Sequence, residues 1–162
     1  MRILTGPEEH PARHTVHADR LPGIAIAIGL CLLVVSTANL TLLWYAPRIG
    51  VTEWELAATT GTFDRLPLLL LGLFLLGGGS AARGLPRSAR MVGWGFFLTG
   101  AGVIGTAALY ALALPQALAM LPSEVGAQLR VSAVKNAVTV TAYVVTSVVC
   151  GWALLRSVHR IG

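Results

Sequence analysis

The chain has 162 residues, 55% of them hydrophobic and only 12% charged, with a mean hydropathy of +0.73. Soluble domains carry about 25% charged residues, so this composition excludes an ordinary water-soluble fold. A net charge of +5 and a pI near 10.0 would suit a nucleic-acid partner, but membrane topology accounts for the cations and no nucleic acid is expected.

Four apolar stretches approach the ~20 residues needed to cross ~30 Å of hydrocarbon. They predict an all-α fold: a polytopic membrane protein built as an antiparallel four-transmembrane-helix bundle. Its spans fall at about 21–46, 66–82, 91–114 and 131–155, within one transmembrane domain over 21–156. A mobile cytoplasmic tail (1–20) precedes it and a short one (157–162) follows.

The first twenty residues are polar and hold Pro7 and Pro11. A signal peptide would start its apolar core earlier and keep it shorter, so the first span is expected to be retained. His10, His14 and His17 would share one helical face, a pattern that can bind metal. Pro11 opposes that helix, and neither metal nor cofactor is expected.

In the first span, Asp19 is placed to cap and Pro22 falls in the first turn, where a missing N–H does no harm. Trp44 and Tyr45 mark the headgroup level, and Pro47 ends the helix. Between Pro47 and Asp64, Thr52 and Glu55 have capping-box spacing. They predict a short interfacial helix from Glu53 to about Thr60, stopped by Gly61, with Trp54 and Phe63 resting at the interface as part of a lid.

The second span is bounded by Asp64 and Arg65 on one side and Arg83 on the other. Its seventeen residues make ~26 Å. Gly77, Gly78 and Gly79 near its end allow very close backbone approach. The short connection from Arg83 to Arg90 predicts an antiparallel hairpin with the third span. There Gly95, Thr99, Gly102 and Thr106 recur at steps of four, three and four, and are expected to pack tightly on the second span; a glycine-lined pore is the alternative.

Pro122 and Ser123 predict that the fourth helix starts near Glu124, outside the membrane, and enters it around Arg130. Ser132, Asn136, Thr139, Tyr143, Thr146 and Cys150 then recur at steps of four, three, four, three and four, one seam along a helix. Lipid offers such groups no partner, so the seam is expected to line the centre of the bundle. Asn39 and Asn136 lie at the same depth, about six residues from their helix ends. The two amides are expected to meet, worth ~0.6–2 kcal/mol. Asn39, Asn136, Thr139, Tyr143 and Thr146 thus form the candidate intramembrane polar site. Aligning the amides leaves Cys31 and Cys150 ~9 Å out of register, beyond disulfide reach, and both are expected to be buried small residues. Lys135 is expected to snorkel toward Glu53, Glu55 or Glu124.

Counting cations sets the orientation. Arg2, Arg13, Arg20, Arg83, Arg87, Arg90, Arg156 and Arg160 fall on one side, and Arg48, Arg65, Arg130 and Lys135 on the other. The positive-inside rule then predicts a multi-pass plasma-membrane protein with both termini cytoplasmic. Its basic inner face would attract anionic headgroups.

The motifs of hydrolases, zinc proteases and nucleotide-binding proteins are missing from the sequence. No carboxylate or histidine lies within a span. No catalytic residue is expected. The leading reading is a non-catalytic structural or accessory component that packs against a partner membrane protein or itself. A small transporter or channel using the polar face of the fourth span is the second, and a lipid-modifying enzyme at the outer face, through Glu53, Glu55 or Asp64, the third.

Overall fold

The computed structural model describes residues 20–159. The predicted tail with its three histidines, the Asp19 cap and the last three residues lie outside them. The chain forms α1 (Leu21–Leu43), α2 (Thr52–Ala82), α3 (Pro86–Met120) and α4 (Ser123–His159). Each is long and apolar enough to cross a bilayer, and the protein is an all-α, multi-pass membrane protein with four helices among the described residues. Three residues separate α2 from α3 and two separate α3 from α4. Such short connections force antiparallel neighbours, so α2 and α4 run parallel.

α2 is the central rod. It packs on α1, α3 and α4, and α3 packs along α4. Among the described residues α1 touches neither α3 nor α4. The core therefore lies within α2, α3 and α4. One layer holds Phe63, Leu66, Val103 and Tyr110; the next holds Leu70, Leu73, Val92 and Phe96. Tyr143 touches both.

Two boundaries differ from expectation. The short interfacial helix ended by Gly61 is instead the first part of α2, which continues through Gly61 and Pro67 to Ala82. A mid-helix glycine costs only ~1 kcal/mol. Burial of Ala58, Thr59, Thr62 and Phe63 on one face outweighs it. Glu55 does act at this start, but its Oε1 accepts from the Gly50 N–H at 2.8 Å, and the N-cap is Val51. Likewise α3 does not stop near Leu114 but passes through Pro115 to Met120, with Ala113 and Ala117 buried.

α2, α3 and α4 have 31, 35 and 37 residues. At 1.5 Å per residue they are about 46 to 55 Å long, well beyond ~30 Å of hydrocarbon. The uncharged stretch of α2 starts just after Asp64 and Arg65 and ends at Arg83. The first thirteen residues of α2, the start of α4 and the end of α3 thus project past the apolar slab at one end of the bundle. Trp44 marks that end on α1. Its Nε1 donates to Thr62 Oγ1 at 3.0 Å, and its ring meets Trp54 edge-on at 5.4 Å.

Candidate functional site

Glycines decide which faces meet. A Cβ on Gly29 would lie 2.8 Å from the Gly72 carbonyl oxygen, and one on Gly79 would lie 2.8 Å from the Pro22 oxygen. α1 therefore rests backbone to backbone on α2. At the other crossing, a Cβ on Gly93 would lie 3.3 Å from the Gly151 oxygen, and one on Gly151 would lie 3.0 Å from the Gly93 oxygen. Gly100 faces Ser147 there.

This corrects the expected use of the small-residue stripes. Gly95 meets only Leu73, Gly102 has nothing within 4 Å, and Thr99 is half-buried; of that stripe, Thr106 alone is buried. The buried stripe of α3 is offset by two to three positions, carrying Gly93, Phe96, Gly100 and Val103. Gly77 abuts Leu154 and Val92, Gly78 faces open space and Gly79 serves α1. The tight backbone contacts thus join α1 to α2 and α3 to α4, rather than α2 to α3.

The same crossings separate the two amides. Gly29 opposite Gly72 and Leu43 opposite Gly61 put Asn39 level with residues 62–65 of α2. Gly93 opposite Gly151 and Gly100 opposite Ser147 put Asn136 level with Tyr110, whose ring packs on Phe63 at 6.1 Å. The expected common depth of Asn39 and Asn136 therefore agrees with the register, but the amides do not meet. α2 stands between them, and Asn39 is exposed on the far face of α1. Cys31 is exposed on that helix too, contrary to its expected burial, and Cys150 is half-buried on α4; both are free thiols.

The polar seam of α4 reaches the bundle centre only in part, through Tyr143 and Cys150, which pack on the core layers. The close approach at Gly151 places Ser147, 0% exposed, at the α3 contact. The seam falls about one residue's rotation to the side. Ser132 and Thr146 are exposed, while Asn136, Thr139 and Tyr143 are half-buried. These three, with Ser132, line a cavity of about 540 Å³ between α2 and α4. Thr146 is not part of it.

The opposite wall is α2, which contributes Thr60, Phe63, Asp64 and Pro67. Tyr110 of α3 closes the back. Proline has no N–H, so Pro67 leaves the carbonyl of Phe63, four residues earlier, without its helical donor. That carbonyl belongs to the residue next to Asp64 on the same helix. Lys135 lines the same cavity from α4, opposite Asp64 and not among the expected glutamates. Thr139 spends its hydroxyl hydrogen on the Lys135 carbonyl at 2.9 Å. Among the described residues, the side chains of Asp64, Lys135, Asn136 and Tyr143 make no hydrogen bond to protein groups. Charges at a protein–lipid boundary interact more strongly than in water, so the groove is a dipolar site with its negative end on α2 and its positive end on α4.

A second cavity, about 340 Å³, lies between α3 and α4 and is lined by Ala111, Leu114 and Ala137 among others. Phe63, Tyr110 and Asn136 border both cavities. Pro67 and Tyr110 carried no site signal in the sequence, and Asp64 was expected only as an outer-face carboxylate of a lipid-modifying enzyme. Asp64 reads there as a span boundary, and only the parallel packing of α2 and α4 brings it to Lys135. No protein-family model matches the chain, and no curated protein or solved structure is detectably similar to it.

Proposed function

We propose that the protein is a small, non-catalytic plasma-membrane component that works by pairing with a second copy of itself through α1. Both termini lie in the cytoplasm in this reading, as the eight-to-four distribution of cations supports. The observation that carries it is the isolation of α1 on α2. Cys31, Val35, Asn39 and Leu42 follow at steps of four, four and three, and all four are exposed. Beside them runs a shallow groove of about 560 Å³ whose floor includes Thr37, Ala38 and Thr41. Small residues of this kind admit a neighbouring helix closely.

A second copy suits this face for a chemical reason. An asparagine amide carries both donors and an acceptor, so two Asn39 side chains related by a two-fold axis satisfy each other. The face holds no charge, and pairing brings no like charges together. The basic end would meanwhile sit against anionic headgroups.

Copper–phenanthroline oxidation of native membranes tests the pairing. In a Cys150→Ser background, Cys31 should give a covalent dimer, and Asn39→Leu should reduce it severalfold. A monomer throughout, or a band unchanged by Cys31→Ser, overturns the proposal.

The transporter reading has one observation in its favour: Asn136, with Phe63 and Tyr110, borders both cavities and would gate a path between them. Solute flux in proteoliposomes that disappears with Asn136→Leu is the outcome that reading requires.

A further inference from the structure

The α2/α4 groove has polarity of two signs in a fixed order. On the α2 side Asp64 supplies the one charge and, with the freed Phe63 carbonyl, only acceptors, beside the neutral Thr60 hydroxyl. Lys135, Asn136 and Tyr143 offer an ammonium, an amide and a phenol on the other. A simple anion would meet Asp64, and a simple cation would meet Lys135. A group carrying a negative and a positive charge a short distance apart would satisfy both walls. The phosphate belongs on α4, beside the ammonium; the amine belongs on α2, beside the carboxylate and the carbonyl.

The groove also lies where an amphiphile would present such a head. Asp64 and Lys135 mark the ends of the apolar stretches of α2 and α4. Farther along the same two helices is an apolar cavity of about 290 Å³, lined by Phe74, Gly78, Cys150 and Leu154. Phe74 lies ten residues beyond Asp64, about 15 Å along the helix, which is the depth of one leaflet of a ~30 Å core. The rest of the cavity's lining on these helices, from Gly78 to Ala81 on α2 and from Cys150 to Ser157 on α4, lies deeper, so a chain attached to a head in the groove runs down the α2/α4 seam and ends at the near edge of that cavity.

We infer that the α2/α4 groove binds the headgroup of a zwitterionic phospholipid that bears a primary ammonium, its phosphate on Lys135 and its amine on Asp64. The primary amine matters because Asp64 and the Phe63 carbonyl need N–H donors, which a quaternary ammonium lacks. The site is independent of α1 pairing, since α1 touches neither of the groove's walls on that side.

The test uses the full-length protein, delipidated in mild detergent and titrated with phosphatidylethanolamine, phosphatidylcholine or phosphatidylglycerol of identical chains. Bound lipid is counted by native mass spectrometry. Phosphatidylethanolamine should bind about tenfold more tightly than the other two, the ratio expected from one charge-assisted hydrogen-bonded contact. Asp64→Asn should erase the preference over phosphatidylglycerol, and Lys135→Gln should weaken all three phospholipids. Asp64→Glu should retain the preference, and circular dichroism of each variant checks that it folds. Asp64 and Lys135 are both exposed, so neither change disturbs the core. Equal binding of the three lipids, or a preference that survives Asp64→Asn in a folded protein, overturns the inference. Soluble phosphoethanolamine that competes as strongly as the lipid overturns the assignment to an amphiphile, and displacement of lipid by a co-purified membrane protein overturns it in favour of a helix as occupant.

Discussion

Gly29 on α1 and Gly72 on α2 meet through their backbones: a Cβ on the first would lie 2.8 Å from the carbonyl oxygen of the second, and one on the second 3.1 Å from the oxygen of the first. Nothing flexible stands at this crossing to move aside. It fixes α1 on the face of α2 that points away from α4, and so decides that Asn39 and Asn136 share a depth but not a site.

Gly29→Ala should therefore push α1 off α2. A loss of about 1–3 kcal/mol is expected from overpacking against backbone, read as a lower midpoint on denaturing-detergent titration. Gly102→Ala is the contrast. Its Cβ would meet nothing within 4 Å, and alanine favours helix over glycine by up to ~1 kcal/mol, so its midpoint should hold or rise. Equal behaviour of the two variants would contradict backbone contact between Gly29 and Gly72.

Ser36 and Ser147 carry buried hydroxyls with no hydrogen-bond partner. Each stands in a tight helix contact, where the small side chain matters and the oxygen finds nothing to bond. Ser147→Ala should keep the contact with Gly100 and relieve a desolvated hydroxyl, raising stability by about 1 kcal/mol. Ser147→Val should lower it, because the Cβ of Gly100 would already sit 3.3 Å from that of Ser147. Thermal unfolding in one detergent compares the three proteins. If alanine and valine are equally harmful, the hydroxyl has a partner.

Pro67 sits on an exposed position of α2. Pro67→Ala restores a donor to the Phe63 carbonyl, and should stabilise the helix by up to ~3 kcal/mol. The same change removes an acceptor from the groove. Higher unfolding midpoint together with weaker binding of phosphatidylethanolamine is the expected pair of results. A higher midpoint with undiminished binding would show that the carbonyl is not a ligand.

Thr62 links α1 to α2 by accepting from Trp44 Nε1 at 3.0 Å while donating to the Ala58 carbonyl at 2.8 Å. Thr62→Val preserves shape and removes both, at about 1 kcal/mol for the indole contact. The Trp44 indole N–H resonance should move in NMR spectra of the variant. An unmoved resonance would mean the end of α1 is held by the Trp54 ring alone.

Four helices long and apolar enough to cross, the hairpin of α2 and α3, the start of the fourth helix within one residue of Glu124 and the matching depths of Asn39 and Asn136 were all legible from the residues. Each depends on hydropathy over a long run, on a cap, or on counting at 1.5 Å per residue. The length of α2 was not legible, since Gly61 reads as a stop and only the burial of Thr59, Thr62 and Phe63 against other helices carries the helix through it. The polar groove was half legible. The α4 wall shows in the spacing of Asn136, Thr139 and Tyr143, but the α2 wall does not.

The amino-acid sequence by itself determined how many helices cross the membrane and where each is apolar, because the bilayer acts on every span alone through transfer of its side chains and satisfaction of its backbone. Which helix lies beside which was decided only in the folded molecule. Between helices already in lipid there is no hydrophobic force to choose a neighbour, and close contact of small residues does the choosing. Gly29 with Gly72 and Gly93 with Gly151 made that choice, setting Asp64 across from Lys135 and leaving Asn39 on the outside.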